Sequence, residues 1–537
     1  MPFNRRRLRQ AALVAVAILI VILTLPIALA PRVKQRLLDA VGERFESQVE
    51  VATLSVSVLP PRLTGTGLVL RHKHRTDVPP LVKVASFSAE ASVFGLIFRP
   101  LRLRRVQLQG LEINVPPGGM HIDDPGESRA QGASPVKPSG DKPTPAKAPE
   151  AGSATAESGR KRSPIVIGEL ISDGAVLNIL RRTPGKAPRV FTIRQLAMQE
   201  VGADTPWPFR AELTNPTPPG TIHTQGTFGP WNADDPSQTP LGADYRFSDA
   251  DLGVFDGIQG ILNSTGAFKG VLERIDVNGR ASVPQFALSD VKQPVPLETV
   301  FHSIVDGTSG DTLLQPVDAT FLNTKIHATG GVVEREGEKG RTVKLDVVMN
   351  EARLEDVLRL AVKSREPPMN GALKVTATLV IPPGHRDVID KLRLDGRFDV
   401  ATATFTKEQI QAKVEEFSTK ARGVRDDTPD PVVSNFQGRF AMRDGVIHFS
   451  SVSFAMPGAR VDVAGSYGMA SEALDFRGTV KLDAKLSKLT TGVKSFFLKM
   501  VDGLVRHDDI TIIPITIGGT AGQPKIKLDV GKVFKRN

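Results

Sequence analysis

The sequence predicts a mainly β protein behind a single N-terminal transmembrane helix, with only a few short helices elsewhere. Three observations carry this. Residues Ala11 to Ala30 are unbroken, uncharged and apolar, and twenty helical residues at about 1.5 Å each span the roughly 30 Å hydrocarbon core of a bilayer. Beyond them, apolar and polar residues alternate with the period of two that marks a half-buried strand. Helical periods are scarce, which excludes doubly wound α/β architectures.

The basic cluster Arg5, Arg6, Arg7 and Arg9 precedes the apolar run and favours a cytoplasmic N-terminus. Everything after about residue 31 then lies outside the cytoplasm, although Arg32, Lys34 and Arg36 make the asymmetry small. The competing reading is a secretory signal cut after Ala28-Leu29-Ala30. It would place Pro31 directly behind the cut, where proline hinders cleavage, and would need an apolar region longer than the usual 7 to about 15 residues. A retained anchor is therefore expected.

After the anchor, Val33, Leu37, Val41 and Phe45 recur every four residues, so they share one face of a short amphipathic helix. The period then changes. Leu54, Val56 and Val58 alternate with serines, and Leu111, Ile113 and Val115 alternate with Glu112 and Asn114, as in strands. Pro60-Pro61 and Pro79-Pro80 punctuate this unit and read as turns. From Pro116 to Ser163 the composition falls to Pro, Gly, Ser, Ala and Lys. Such a stretch buries too little surface to offset its ordering entropy and reads as a disordered linker or a long loop.

Alternation resumes in a larger unit. Leu373, Val375, Ala377 and Leu379, then Leu392, Leu394, Phe398 and Val400, then Leu474, Phe476, Val480 and Leu482 form apolar faces, with Lys374, Thr376, Arg393, Asp395, Arg397, Asp475, Arg477 and Lys481 opposite. Residues 434–484 read as a meander with turns at Asp444-Gly445, Pro457-Gly458 and Ala470-Ser471. Three helices are expected: one on Leu354, Val357, Leu358 and Ala361, one behind the capping pair Thr406 and Gln409, and one through Leu489, Val493, Phe496, Phe497, Met500 and Leu504. The chain thus divides into a cytoplasmic tip and anchor (1–31), an N-terminal β unit (32–115), a linker (116–163) and a large β region (164–537).

Composition narrows the function classes. The formal net charge is +11, but residues 1–36 hold seven Lys and Arg and no acidic residue, which leaves +4 for the remaining 501. The basic balance belongs to the membrane flanks, and no basic run interleaved with aromatics supports nucleic-acid binding. The absence of Cys removes thiol catalysis, disulfides and Cys-ligated zinc.

No catalytic motif emerges: no Walker-type loop, no Rossmann fingerprint, no nucleophile elbow and no His-Glu-x-x-His helix. Gly65-Thr66-Gly67 and Gly518-Gly519-Thr520 read as turns or bulges, since a phosphate cradle also needs a following helix. His72 and His74 stand among Arg71, Lys73 and Arg75, which repel a metal ion. His507-Asp508-Asp509 reads as a polar turn, and Asp306 with Asp311 carries no evidence of a shared cleft. No catalytic, cofactor-binding or metal-ligating residue is assigned, and the chain is not expected to be an enzyme. The apolar faces leave two arrangements open. Two sheets could pack face to face, which the periodicity alone favours, or one long sheet could curl and leave its apolar side for acyl chains.

The ordered set of residues behind the anchor resembles AsmA-like proteins of bacterial envelopes. The similarity rests on Val49-Glu50-Val51, Leu59-Pro60-Pro61-Arg62-Leu63 leading to Gly65-Thr66-Gly67-Leu68, Pro79-Pro80-Leu81, and Leu101, Leu103, Val106 and Leu108 before Gly110-Leu111. Toward the C-terminus it rests on Gly438-Arg439-Phe440, Asp444-Gly445, Met456-Pro457-Gly458-Ala459, Gly465-Ser466-Tyr467 and Ile517-Gly518-Gly519-Thr520 with Pro524. It covers most of the chain apart from the linker, which interrupts the continuous sheet the family would have.

The resemblance implies a single-pass inner-membrane anchor and a periplasmic body built as an elongated, curved antiparallel sheet with an apolar groove. It also implies an N-terminal portion similar to chorein-type lipid-transfer proteins, and a role in outer-membrane lipid homeostasis and biogenesis. On that expectation Leu373, Val375, Leu379, Leu392, Leu394, Phe398, Phe476, Val480 and Leu482 line the groove. The expected partners are phospholipid acyl chains, the inner membrane and outer-membrane components. The alternative is a membrane-tethered assembly factor for outer-membrane proteins, acting through exposed sheet edges.

Overall fold

A computed structural model of the chain describes residues 31–32, 34–58, 61–72, 79–91, 100–115, 164–180, 187–232, 235–288, 293–335, 340–406, 408, 433–456, 459–482 and 511–528. The apolar run Ala11–Ala30, the low-complexity stretch 116–163, His74, the expected helices after Thr406 and through Leu489–Leu504, and His507-Asp508-Asp509 lie outside these residues. Among the described residues no helix is long and apolar enough to cross a membrane.

The chain is mainly β, a curled half-barrel of sheet with few helices. Its first strands are β1 (Ser47–Glu50), β2 (Thr53–Val58), β3 (Pro61–His72), β4 (Val82–Ala91) and β5 (Leu101–Val115). Next come β6 (Ile165–Ile179), β7 (Arg189–Val201), β8 (Trp207–Pro216), β9 (Pro219–Phe228), β10 (Pro240–Asp251), β11 (Ile258–Gln259) and β12 (Ile261–Val271). The middle holds β13 (Arg274–Leu288), β14 (Val295–Val305), β15 (Thr312–Phe321), β16 (Thr324–Glu334), β17 (Arg341–Arg353), β18 (Met369–Ile381) and β19 (Arg393–Phe405). The last are β20 (Val433–Arg443), β21 (Val446–Met456), β22 (Ala459–Gly468), β23 (Leu474–Leu482), β24 (Thr511–Thr520) and β25 (Gln523–Leu528).

These strands belong to one sheet. β1 and β2 both pair with β3. From β3 each strand pairs with the next as far as β25, except that β10 pairs with β12 while the two-residue β11 pairs with β13. Single-layer continuity settles the choice that periodicity left open: the apolar faces belong to one curled sheet and not to two stacked ones. At about 4.8 Å per ladder step the sheet measures about 100 Å along its hydrogen bonds.

The low-complexity stretch does not interrupt the sheet. β5 and β6, which flank it, pair in parallel from Leu101↔Ile165 to Val115↔Ile179. A parallel pair needs a long crossover to bring the chain back to the starting edge, and residues 116–163 supply that length. All other pairings are antiparallel, as the meander pattern predicts.

Other local expectations meet specific outcomes. Residues 34–45 are helical, with Leu37 and Ala40 buried against the apolar side of β3–β7. The helix Leu354–Ala361 forms where its period predicts, with Leu354 buried. Asp444 and Gly445 both adopt positive φ, at 48° and 70°, the conformation a two-residue hairpin requires. Gly65-Thr66-Gly67 lies within β3 and forms neither a turn nor a bulge: the register with β4 runs unshifted from Thr66↔Ser86 to Leu68↔Val84, and Gly67, at φ 64°, lies close against Ala52. Leu392 does not belong to the strand its alternation suggested. It caps the short helix Val388–Lys391, with β19 starting at Arg393, because Asp387 accepts from the Ile389 N–H and starts a helical turn first.

Candidate functional site

Following the register across the sheet yields one uninterrupted row on the apolar face. It begins Leu54↔Gly65↔Phe87↔Leu108 and crosses the parallel junction through Ser172 to Leu196. In the middle it runs Thr224↔Tyr245↔Gly266↔Gly279↔Phe301↔Val317. It continues through Ala328, Val347, Ala377 and Gly396 to Phe440↔Phe449↔Gly465↔Phe476, and ends at Ile517↔Ile526. No position in it carries a charge, and its polar members, Ser172, Thr224 and Tyr245, bear only hydroxyls.

Glycine and aromatic residues are matched along this row. A Cβ on Gly279 would lie 2.5 Å from Tyr245 Oη and 2.7 Å from Phe301 Cζ, so rings from β10 and β14 lie down over the bare backbone between them. Phe440 likewise covers Gly396, and in a neighbouring row Phe398 covers Gly438. Each glycine gives a ring space that any side chain would fill, which keeps the floor level while removing the backbone from water.

The opposite face is wet. Cross-strand ion pairs Arg105–Glu169 (2.6 Å), Lys325–Glu351 (2.6 Å), Arg443–Asp395 (2.7 Å) and Lys481–Asp462 (3.2 Å) bridge strands there. Exposed pairs of this kind add little stability, so their main effect is to keep that face hydrated. It has an open hollow of about 1020 Å³ over β6–β12, lined by Arg210, Glu212, His223, Asp244 and Arg246. Charges of both signs make it unsuited to an acyl chain.

Cover over the apolar face is uneven. Helix 34–45 covers the N-terminal end, and its last turn is pinned by Arg44, which donates to the carbonyls of Gly202 (2.8 Å) and Ala203 (3.0 Å). Phe45 meets Trp207 and Trp231 edge to face at 6.4 and 5.6 Å. Near the other end, helix Leu354–Ala361 packs on Leu373, Val400, Ala403 and Val433. Between these helices, across β9–β16, Ala243, Val283, Val295, Phe321 and Ala328 are individually buried on this face, but none of them belongs to a buried cluster. There Ile222, Phe247, Phe268, Val277, Phe301 and Val317 remain half-buried.

The residues singled out from sequence fall on this face. Leu373, Val375, Leu379, Leu394 and Phe398 are joined by the pairs Leu373↔Val400, Val375↔Phe398 and Leu379↔Leu394. Phe476 and Val480 lie on the same side of β23, and Leu482 pairs in register with Ala459. Leu373 and Val480 are buried at 3% and 2% exposure, so they form covered floor. Leu392 packs at the sheet's rim with Met442 and Tyr467. The half-buried stretch on β9–β16 escaped the sequence reading, because Gly266, Gly279 and Thr299 dilute its alternation.

The carboxylates considered for chemistry have separate structural tasks. Asp306 Oδ1 accepts from the Thr308 N–H (2.8 Å) and hydroxyl (2.6 Å), closing the β14–β15 loop. Asp311 pairs with Arg341 at 3.4 Å and accepts from the Glu334 N–H. Among the described residues no cluster of His, Asp and Glu has the arrangement of a metal site. No protein-family model, curated protein or solved structure matches this chain.

Proposed function

We propose that this chain is a non-enzymatic, membrane-tethered envelope protein that holds phospholipid acyl chains against the apolar face of its curled sheet. The carrying observation is the uncharged row from Leu54 to Ile526, with its half-buried middle. Acyl chains need contiguous apolar surface and no directional partner, and each 100 Å² they withdraw from water contributes about 2.5 kcal/mol. The apolar run Ala11–Ala30 supplies the tether, and the resemblance to AsmA-like proteins favours an inner-membrane anchor with a periplasmic body serving outer-membrane lipid supply.

The assembly-factor reading draws on the edge of β25, where Ile526 is 60% exposed. Lys525 and Lys527 flank it, and edge lysines of this kind oppose strand pairing, so the lipid reading is preferred. Mass spectrometry of lipid co-purifying with the detergent-extracted full-length chain, followed by exchange with isotope-labelled phospholipid, tests it. Stoichiometric phospholipid that exchanges is expected. A folded, lipid-free protein that takes up none contradicts it.

A further inference from the structure

A strap crosses the apolar face. It comprises helix Leu354–Ala361 and the following residues to Ser364, and its two ends are held differently. At the root, the buried Asp356 carboxylate accepts from the Asn323 N–H (2.9 Å) and the Thr324 hydroxyl (3.0 Å) in the β15–β16 turn. Glu355 accepts from the Gly371 N–H at 3.0 Å. Bonds to a carboxylate are the stronger kind.

The tip is gripped from two sides by residues distant in sequence. Gln293 Nε2, from the β13–β14 loop, donates to the carbonyls of Val362 (2.9 Å) and Ser364 (2.7 Å). From the β22–β23 side, the Tyr467 hydroxyl donates to the Ala361 carbonyl (2.8 Å), and Glu472 accepts from the Lys363 N–H (2.8 Å). Sheet twist explains how these loops meet. At about 20–25° per step, the seven steps from β12 to β19 turn the strand direction by about 150°. Chain-wise opposite strand ends thereby come to one rim, as the bond from the Val388 N–H to the Asp256 carbonyl (2.8 Å) records.

We infer that the strap divides the apolar face into two sections, and that the section between helix 34–45 and the strap is the ligand-bearing one. This rests on the acyl-chain reading above and adds where the chains lie. The open section spans β9 to β16, six ladder steps or about 30 Å at 4.8 Å per step. A single leaflet's acyl chain is about 15 Å long, half a bilayer core, so the section is about two chain lengths along the row. The strap is its C-terminal stop. Leu354 fills the floor at the strap's root, while Val362 joins Ile389, Met442, Tyr467 and Met469 in a cluster at its tip. The row passes on beneath it to Phe449 and Phe476. The root continues directly from β17, whereas the tip is joined to the rest of the sheet through Gln293, Tyr467, Glu472 and the Lys363 Nζ bond to the Ala470 carbonyl (2.6 Å), and it is the end that lifts for a chain to pass.

The test uses the full-length chain, whose lack of cysteine makes an introduced pair unique. A benzophenone amino acid replaces Phe268, in the open section, or Phe476, beyond the strap. Lys363→Cys with Glu472→Cys is bridged by a short bismaleimide to lock the tip, and Gln293→Ala with Tyr467→Phe frees it. Each form is irradiated with radiolabelled phosphatidylethanolamine, and circular dichroism verifies the fold. Position 268 is expected to label in every form, while position 476 labels when the tip is free and falls to background when it is locked. Equal labelling at 476 in the locked form, or none in the freed form while 268 labels, overturns the strap. Absence of label at both positions in all forms instead removes the acyl-chain reading beneath it.

Discussion

Phe449 and Phe476 lie two strands apart, yet their ring centroids are 5.5 Å from each other. Strands two steps apart have backbones separated by about 9.6 Å. The rings meet because the residue between them in register is Gly465, paired with Phe449 on one side and Phe476 on the other. A side chain there would occupy the space the rings share. The same device recurs where Tyr245 and Phe301 converge over Gly279, so it governs the floor of the face over much of its length.

Replacing Gly465 with alanine should therefore destabilise the protein. The added Cβ meets the Asp475 carbonyl and the Phe476 ring, and overpacking of this kind costs about 1–3 kcal/mol. Urea unfolding measures it. A loss below about 0.5 kcal/mol, the range of an innocuous surface substitution, would show that the rings do not depend on the glycine.

A charge introduced into the row should abolish lipid retention where the same charge on the other face does not. Phe301 lies in the half-buried middle, and its neighbour Val300 points the other way at 53% exposure. Phe301→Asp is expected to remove bound phospholipid, whereas Val300→Asp changes stability by no more than about 0.5 kcal/mol and leaves lipid content intact. Equal lipid loss in both variants would deny the two faces their separate roles.

The strap's root should be a stability determinant. Asp356→Ala strands the Asn323 N–H and the Thr324 hydroxyl, and hydrogen bonds to a charged group contribute about 1.5–3 kcal/mol. A destabilisation of that size is expected by urea unfolding. Asp356→Asn should recover part of it by keeping one acceptor, and an unchanged midpoint in the alanine variant would contradict the assignment.

The strap's tip should report on pH. Burial, reinforced by Glu472, raises the Tyr467 hydroxyl to about 12 from the usual 10. The folded state thus favours the protonated phenol that donates to Ala361. Its contribution is complete below about pH 10 and is lost as pH rises through about 12. With two tyrosines in the chain, absorbance at the tyrosinate band resolves the titration, and Tyr467→Phe should remove a component near 12. Tyr245 is also shifted upward, by burial opposed by its bond to Ser264. A Tyr467 component titrating at the ordinary value would mean that the tip is not seated.

The sequence exposes those parts of the fold that local chemistry decides. Leu37 and Val41 set a helical face, Asp444-Gly445 sets a hairpin, and alternation from Leu373 to Leu379 sets a strand. What it hides depends on register. Nothing near Val115 or Ile165 announces that the strands ending and starting there pair in parallel across 116–163. Gly279 weakens the alternation of its own strand, and its purpose appears only when Tyr245 and Phe301 are placed beside it. Gln293 reaches Val362 across 69 positions, a contact that sheet twist creates and no periodicity encodes. Leu392 shows the reverse error, a residue with the right period whose Asp387 cap turns it into a helix end.

The central claim is that lipid contacts one face of this sheet and not the other, and a residue-by-residue photocrosslinking scan along β12 tests it most directly. Gly266 and Phe268 belong to the apolar face, and Thr265, Ala267 and Lys269 to the polar one. With a benzophenone amino acid at position 265, 267, 268 or 269 of the full-length chain, crosslinked phospholipid should appear at 268 and be absent at 265, 267 and 269. Uniform labelling, or labelling confined to the polar positions, would contradict the account.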